Sequence, residues 1–450
     1  MRDILKSIRE QRLHQWETWQ TRLVVWTAAL VTGLVIVAFS EITDSAIRFF
    51  LKQAQTRSWL PLLTLPLGGM AVVWCTRRFF AGAEGSGIPQ AVAALETTEP
   101  ALRERLLSLR VVAGKIGLGA VALGSGFSTG REGPCVQVGA AIMHSARRWL
   151  PTNSHVTPAQ LIIAGGAAGI AAAFNTPLAG IVFAIEEMHR GYEQRSSSVA
   201  LAAIVIAGIV AISLMGNHTY FGRIAVGTID SKIVSAVIFC GLLCGVAGGF
   251  FSRLLCASGR PWRGHLGKLR RLHPVLFAGL CGLVVALIGV TTDSTVYGSG
   301  YAQTQALLEQ GASQPWYYPL AKMGATIASF FSGIPGGIFA PTLAIGAGLG
   351  HDIAPIFHNV VPAAILALCM AGFLAAVTQA PITSFIIVME MIDGHAMVIS
   401  LIAVALIARL VSGLISKPLY TVLVHNLLRW APETRTENPS LPGAEQKPQA

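Results

Sequence analysis

Residues 130–134 have the sequence Gly-Arg-Glu-Gly-Pro, which places two charges inside an otherwise apolar, glycine-rich stretch. The pattern returns 207 residues later, where residues 337–341 have the sequence Gly-Ile-Phe-Ala-Pro (337 − 130 = 207). A second repeat relates residues 175–186, which begin Asn-Thr-Pro and end in Glu, to residues 379–390, which begin Gln-Ala-Pro and end in Glu (379 − 175 = 204). The chain therefore consists of two related halves that are interrupted at corresponding places. In a membrane protein, such paired interruptions point to a ligand site near the bilayer midplane.

The composition is that of a membrane protein, because hydrophobic residues make up 53% of the 450 residues and charged residues only 12%, about half of the share in soluble domains. Several charge-free runs match the ~20 apolar residues that a helix needs to cross the hydrocarbon core. Open sheets cannot satisfy their backbone in lipid, so we predict an all-α polytopic membrane protein. The run 360–389 is too long for one helix and contains Pro362 and Pro381, so two segments are expected there. The charge-free runs are 23–40, 59–76, 161–185, 199–221, 273–292 and 360–389.

Positive charge is concentrated in short segments of the chain, whose formal net charge is +11. Lys and Arg gather at the N-terminus, at residues 147–148 and in the loop 252–273. The positive-inside rule places the N-terminus and this loop in the cytoplasm. No basic patch interleaved with aromatic residues accompanies these clusters, so no nucleic-acid partner is expected.

Three parts of the chain are predicted. Residues 1–22 are too charged for a signal peptide and are expected to form a cytoplasmic amphipathic helix at the membrane surface. Residues 23–425 form the transmembrane domain, with halves at about 23–215 and 230–425. Residues 426–450 become polar and proline-rich and are predicted to be a disordered cytoplasmic tail. Both termini are then cytoplasmic.

Loops that interrupt apolar segments are tolerated at membrane depth only where they line a cavity or are buried in protein. The stretches 85–89, 130–134 and 333–337 are of this kind. Helices that start at such loops present free N–H groups and the positive ends of their dipoles, so converging starts form an anion site without a buried cation. Glu132 lies in one of these loops, so its carboxylate can occupy the place of an anion and leave when it is protonated. Arg131 is expected to reach an aqueous vestibule through its long side chain.

Three stretches resemble the signature motifs of the CLC chloride channel/transporter family. They are Gly-Ser-Gly-Ile-Pro at 85–89, Gly-Arg-Glu-Gly-Pro at 130–134 and Gly-Gly-Ile-Phe-Ala-Pro at 336–341, and Pro-Leu-Tyr at 418–420 falls where the family has its pore tyrosine. The resemblance extends over about residues 23–425 and is to the prokaryotic type without CBS domains. It implies a homodimer with one pore in each subunit, and two inverted halves whose broken helices meet at a midplane anion site.

The resemblance implies a role for each matching residue. Ser86 and Tyr420 would offer hydroxyl groups to a chloride ion, and Ile338 and Phe339 would offer backbone N–H groups. Glu132 would be the gating glutamate that also carries protons.

Three further residues extend this reading. Glu187 matches the internal proton-transfer glutamate of the family's exchangers, and Glu186 would line the water route to it. Serine at position 86 is the chloride type, and Gln90 departs from the glutamate of many members.

These matches favour a secondary transporter that exchanges chloride for protons across the inner (plasma) membrane. A passive chloride channel gated by voltage or pH is the alternative, and Glu187 is the residue that distinguishes the two. Each residue also has a structural alternative: Ser86 as a helix cap, Tyr420 as an interfacial aromatic, and Glu187 as a helix-end charge. Neither a nucleophile motif nor a zinc-protease motif occurs, so we expect no enzyme, no metal and no cofactor other than bound chloride.

Overall fold

The computed structural model describes residues 2–188, 197–216, 219–222, 233–260, 262 and 264–429, with the backbone alone for residues 2–15, 197 and 198. Within these ranges the chain is almost entirely helical, which confirms the predicted all-α fold; the extended pairs found there are two isolated bridges. The helices are α1 (Arg2–Thr56), α2 (Pro61–Phe79), α3 (Ile88–Glu96), α4 (Pro100–Leu106), α5 (Leu109–Gly124), α6 (Glu132–Ser145), α7 (Pro158–Phe174), α8 (Pro177–Phe183), α9 (Ser197–Met215), α10 (Ile233–Cys256), α11 (Gly264–Leu272), α12 (Pro274–Thr291), α13 (Tyr301–Glu309), α14 (Tyr318–Ser332), α15 (Phe339–Ile353), α16 (Pro362–Thr378), α17 (Pro381–Ile392), α18 (Val398–Ile415) and α19 (Leu419–Arg429).

Helix α1 runs through the predicted boundary at residue 22 without a break. Its part from Trp16 to Thr56 is long and apolar enough to cross a membrane. Trp16 and Trp19 are exposed at the start of this part, and the Arg22 guanidinium lies 5.1 Å from the Trp19 ring centre. Exposed tryptophans beside arginine are typical of the membrane–water interface. The predicted surface helix and the first span are therefore one continuous helix.

Proline and left-handed residues divide the longest apolar runs. Asn175 (φ 56°) ends α7 and Gln379 (φ 60°) ends α16, and each is followed two residues later by the proline that begins the next helix. The run 360–389 thus holds two helices, as predicted. The run 161–185 holds two as well, α7 and α8, where the sequence suggested one span, because the same αL–x–Pro break occurs in both halves.

One end of the molecule, which we call the arginine face, shows that the halves are inverted. Helix α5 begins at this face, whereas its repeat mate α14 ends there. Likewise α2 ends at this face and its mate α12 begins there. Mates that run in opposite directions are the signature of an inverted repeat. The arginine face carries Arg77, Arg78, Arg105, Arg110, Arg260, Arg270 and Arg271.

Close helix crossings are also repeated. A Cβ atom on Gly139 of α6 would lie 2.2 Å from the Gly165 carbonyl oxygen of α7, so this crossing requires glycine. At its mate Gly346 of α15, a Cβ atom would lie 2.6 Å from the Cys369 carbonyl oxygen of α16. Both crossings bring backbones together, as is common between helices in membranes.

The C-terminal helix extends further than expected. Residues 426–429 belong to α19, so the prediction of a disordered tail from residue 426 is wrong for these four residues. They continue the helix that begins at Leu419 because no proline or glycine interrupts them. The rest of the predicted tail, residues 430–450, lies outside the described residues.

Candidate functional site

Backbone hydrogen bonds join the three motif loops at the centre of the molecule. Gly130 and Gly337 exchange a pair of N–H···O bonds of 2.8 and 2.6 Å and form an antiparallel bridge. Gly85 forms a parallel bridge with Pro335, through N–H···O bonds of 3.2 Å to Ile334 and 3.1 Å from Gly336. Gly130 and Gly337 are repeat mates, so the two halves meet at a local two-fold axis between the starts of α6 and α15.

The conformation of the loop before α3 requires glycine at position 87 and is stabilised by hydrogen bonds from Lys115. Gly87 has φ 103°, and a Cβ atom there would lie 2.6 Å from the Gly133 carbonyl oxygen, so a side chain is excluded. The buried Lys115 of α5 donates from Nζ to the carbonyl oxygens of Ala83 (2.9 Å), Glu84 (3.3 Å) and Gly85 (2.7 Å). Lys115 is the donor found for the Ala83 carbonyl among the described residues, and it adds a second donor to the carbonyl groups of Glu84 and Gly85.

The second half contains the same arrangement. Lys322 of α14, the repeat mate of Lys115 (322 − 115 = 207), donates to the carbonyl oxygens of Val296 (2.8 Å) and Gly298 (2.7 Å). The loop that it holds contains Gly-Ser-Gly at 298–300 and leads into α13, as Gly-Ser-Gly at 85–87 leads into α3. Buried lysine therefore holds the loop before a short helix in both halves.

Two hydroxyl groups converge on the start of α6 and α15. Ser86 is 3% exposed and Tyr420 4% exposed, and neither hydroxyl has a hydrogen bond of good geometry among the described residues. They lie near each other, and the Tyr420 ring packs 6.2 Å from the Phe339 ring. Buried polar groups in proteins nearly always have a well-formed hydrogen bond, so two neighbouring hydroxyls that lack one indicate a ligand position.

The start of α15 lies beside the same two hydroxyl groups, those of Ser86 and Tyr420. Ile338 precedes the helix and Phe339 begins it, so their N–H groups have no partner within the helix. The Phe339 ring packs against Phe174 (6.3 Å between ring centres) and Phe183 (6.4 Å). The first turn of α15 therefore presents backbone donors and the positive end of the helix dipole.

Glu132 begins α6 and is 1% exposed. A Cβ atom on Gly130 would lie 2.2 Å from Glu132 Oε2 and 3.2 Å from Pro341 Cδ, so the carboxylate folds back against Gly130. Neither oxygen has a hydrogen bond of good geometry among the described residues, although the N–H groups of Ala340 and of Glu132 itself face them. The carboxylate thus lies against the start of α15.

Arg131 does not reach a vestibule, which corrects the expectation from the sequence. It is 7% exposed and forms an ion pair with Asp44 of α1. Its Nη1 also donates to the Ser40 carbonyl oxygen (2.9 Å) and to Thr43 Oγ1 (3.2 Å). The physical reason is that α1 packs beside α6 and offers acceptors where the sequence suggested water.

Glu186 and Glu187 lie on a π-helical turn, Ala184–Met188, that continues α8. Such turns are frequent at functional sites. Glu187 is partly exposed, and its charge lies near Tyr420. Both Glu186 oxygens accept backbone N–H groups, from Ile382 (3.1 Å) and Thr383 (2.6 Å) at the start of α17, so its main contact is a helix cap rather than a water route.

A cavity of about 450 Å³ connects Ser86 with the arginine face. Its walls include Gln90, Trp262, Phe331 and Leu427. No group of three or more His, Cys, Asp or Glu that could hold a metal ion occurs in the part of the chain that the structure describes.

The family model described as the voltage gated chloride channel matches residues 68–413. The chain belongs to this CLC family. The H(+)/Cl(-) exchange transporter ClcA of Yersinia pestis bv. Antiqua (strain Angola) is 31% identical over 451 residues, which cover 93% of this chain and 90% of the relative. The ClcA of Klebsiella pneumoniae subsp. pneumoniae is 32% identical over 386 residues, covering 82% and 79%. The crystal structure of a slow cyanobacterial Cl-/H+ antiporter superimposes with a TM-score of 0.80 at 26% identity, covering 92% of this chain and 99% of that one.

Of the predicted site residues in this CLC chain, five lie at the meeting point of the loops: Ser86, Glu132, Ile338, Phe339 and Tyr420. Glu187 lies outside this group, near Tyr420, on the π-helical turn after α8.

Sequence reasoning missed Asp44, because nothing in the pattern of α1 indicates that it pairs with Arg131. It also missed Lys115 and Lys322, although their separation of 207 residues repeats the offset of the motifs and could have revealed them.

Proposed function

We propose that this protein exchanges chloride for protons across the membrane, with Glu132 as a titratable gate in the anion path. The position of the Glu132 carboxylate carries the proposal: it is buried, lacks a good hydrogen bond, and faces the start of α15. An ionised carboxylate there competes with chloride for the same N–H groups, and protonation removes it. One group then both opens the path and carries a proton. The relatives named as exchange transporters support this function over a passive channel.

The anion path has two kinds of donor. The hydroxyls of Ser86 and Tyr420 bind chloride from the side of the cavity, and the N–H groups of Ile338 and Phe339 bind it from the start of α15. No lysine or arginine among the described residues donates directly into this group, because Lys115, Lys322 and Arg131 are bonded to carbonyls or Asp44. Partial charges bind an anion without holding it too tightly to release it.

On the cytoplasmic side of the membrane, protons take a route that differs from the path of chloride. Glu187 passes protons between the cytoplasm and the region of Tyr420, and Glu132 passes them to the other side. The arginine face is cytoplasmic, since the positive-inside rule applies to the loop that contains α11. The protein works as a homodimer in the bacterial inner membrane, with both termini cytoplasmic and no cofactor besides chloride.

Liposomes reconstituted with the purified protein test the function. They contain high chloride, have no pH gradient, and are clamped at zero voltage with valinomycin and potassium. Exchange predicts that the external medium becomes alkaline, because protons enter as chloride leaves. Chloride efflux without proton movement would establish a passive channel or uniporter instead, and Glu187 would then be a helix-end charge.

A further inference from the structure

Three neighbouring cavities open on the arginine face. The first, of about 450 Å³, contains Ser86 in its wall, and Arg270 lies in the wall of both this cavity and a second one of about 350 Å³. The second cavity shares Ala81 and Arg105 with a third, of about 290 Å³. The surface that leads to the proposed chloride site is therefore continuous from one cavity to the next.

The walls of these cavities carry a strong excess of positive charge. They contain seven arginines and one acid, Glu84. None of the seven forms an ion pair with a described residue, and the Glu84 carboxylate accepts the N–H of Gly82 at 2.8 Å. A cleft lined by one sign of charge focuses the field and raises the local concentration of the opposite ion.

Arg270 is held in a fixed position at the mouth of the Ser86 cavity. It donates to the Ser258 carbonyl oxygen, and its guanidinium lies 5.1 Å from the Trp262 ring centre. Trp262 in turn donates to the Ala257 carbonyl oxygen at 2.8 Å and packs against Phe331 at 4.9 Å. The segment between α10 and α12 thus holds this charge in place while leaving it without a carboxylate partner among the described residues.

We propose that Arg270, together with Arg260 and Arg271, forms an anion-capture site at the mouth of the Ser86 cavity, where chloride collects before it reaches the serine. The proposal rests on the proposed function, since it concerns the entry of the transported ion. The three guanidinium groups line the cavity that contains Ser86, and none of them forms an ion pair with a described residue. They act on the rate of capture and leave proton coupling to Glu132 and Glu187.

The test measures uptake of radioactive chloride into inside-out and right-side-out membrane vesicles from cells that express each variant. Uptake reports on entry whether or not protons move, so a failure of exchange can be told apart from a failure of capture. Arg270→Gln is expected to raise the half-saturating chloride concentration about three-fold when the arginine face meets the medium, and not in the opposite orientation. The increase should nearly vanish at about 0.3 M inert salt, which screens exposed charges over a few Å.

Three further variants distinguish the loss of positive charge from a structural effect of the Arg270 substitution. Arg270→Lys keeps the charge and should restore capture, whereas Arg271→Gln removes an exposed charge for which no hydrogen bond or ion pair is found in the described chain. Arg57→Gln, at the opposite end of α1 and α2, is the matched control and should have no effect on this side. Equal changes in both orientations, or wild-type capture by Arg270→Gln and Arg271→Gln at low salt, would overturn the proposal.

Discussion

Glu186 and Glu390 cap each other's helices across the two halves. Glu186 accepts the first free N–H groups of α17, the helix that carries Glu390, at 3.1 and 2.6 Å. Glu390 accepts those of α8, the helix that leads to Glu186, at 3.2 and 2.8 Å. The donors and the acceptors are both separated by 204 residues, so the clamp obeys the two-fold symmetry of the repeat. It fixes the turn on which Glu187 lies.

Removal of one half of this clamp should destabilise the protein. In Glu390→Gln, an amide NH2 group replaces one acceptor oxygen and faces a backbone N–H group with which it cannot form a hydrogen bond. The loss of a hydrogen bond to a charged acceptor costs about 1–3 kcal/mol of stability. Thermal unfolding of the purified protein should show a clear decrease in the midpoint. Glu309→Gln is the control, because Glu309 is exposed and accepts one side-chain hydrogen bond, from Gln305. Equal midpoints for the two variants would mean that the Glu390 cap contributes nothing.

The sequence predicts the fold and the members of the site for different reasons. Low charge and long apolar runs require helices that cross a membrane, and the repeat offset relates Gly130 to Gly337, which the structure joins by a pair of hydrogen bonds. The grouping of Ser86, Glu132, Phe339 and Tyr420 followed from the family resemblance, and the structure brings them together.

Other contacts could not be predicted, because they depend on how helices pack rather than on local pattern. Arg131 meets Asp44 only because α1 passes beside the start of α6. Glu186 could be assigned to a water route from the sequence, but its partners come from α17, about 200 residues away (382 − 186 = 196). The hydrogen-bond partners of buried polar groups are set by long-range packing, so composition and spacing do not reveal them.

Substitutions of Lys115 and Lys322 should differ in their effect on chloride affinity. Lys115→Met leaves the buried Ala83 carbonyl group without a donor and removes one of two donors from the carbonyl groups of Glu84 and Gly85, next to Ser86. Lys322→Met removes the donor to two carbonyl groups in the other half. Both variants should lose stability, by about 1–3 kcal/mol for each unsatisfied group. Only Lys115→Met should also weaken chloride binding, which calorimetry on the detergent-solubilised protein measures. Equal losses of chloride affinity would show that global destabilisation, not the position of Ser86, is responsible.

We propose that Gln90 leaves the Ser86 hydroxyl free for chloride, because Gln90 caps the loop before α3 in its place. Its Oε1 accepts the Gly87 N–H at 2.8 Å and its Nε2 donates to the Glu84 carbonyl oxygen at 2.6 Å. In the matching loop of the second half, Ser299 itself accepts a backbone N–H, from Tyr301 at 3.3 Å.

We predict that in Gln90→Leu the serine hydroxyl turns to cap α3 and chloride affinity decreases about ten-fold, which corresponds to ~1.4 kcal/mol. Gln90→Glu keeps the buried acceptor for the Gly87 N–H and loses only the donor to the Glu84 carbonyl oxygen, so its chloride affinity should fall less than that of Gln90→Leu. Calorimetric titration with chloride compares the two variants. Equal affinities for Gln90→Leu and wild type would contradict this role of Gln90.

Glu132→Gln should abolish proton coupling and preserve chloride transport. The glutamine side chain has nearly the same shape and remains neutral at every pH, so it cannot exchange places with chloride as a charged group does. Chloride flux from loaded liposomes should continue, while a chloride gradient should no longer move protons. Both are measured in the same vesicles, with a chloride electrode and a pH electrode.

Glu41→Gln provides the control for this variant, because Glu41 is an exposed acid on α1 and should keep full coupling. The Glu132 variant should also lose the dependence of chloride flux on pH that a titrating gate imposes, so flux measured from acidic to neutral pH should become flat. Uphill proton movement by Glu132→Gln would disprove the mechanism, since no other described carboxylate faces the start of α15 in the way that Glu132 does. Loss of both fluxes would instead mean that the charge of Glu132 is needed to keep the path open.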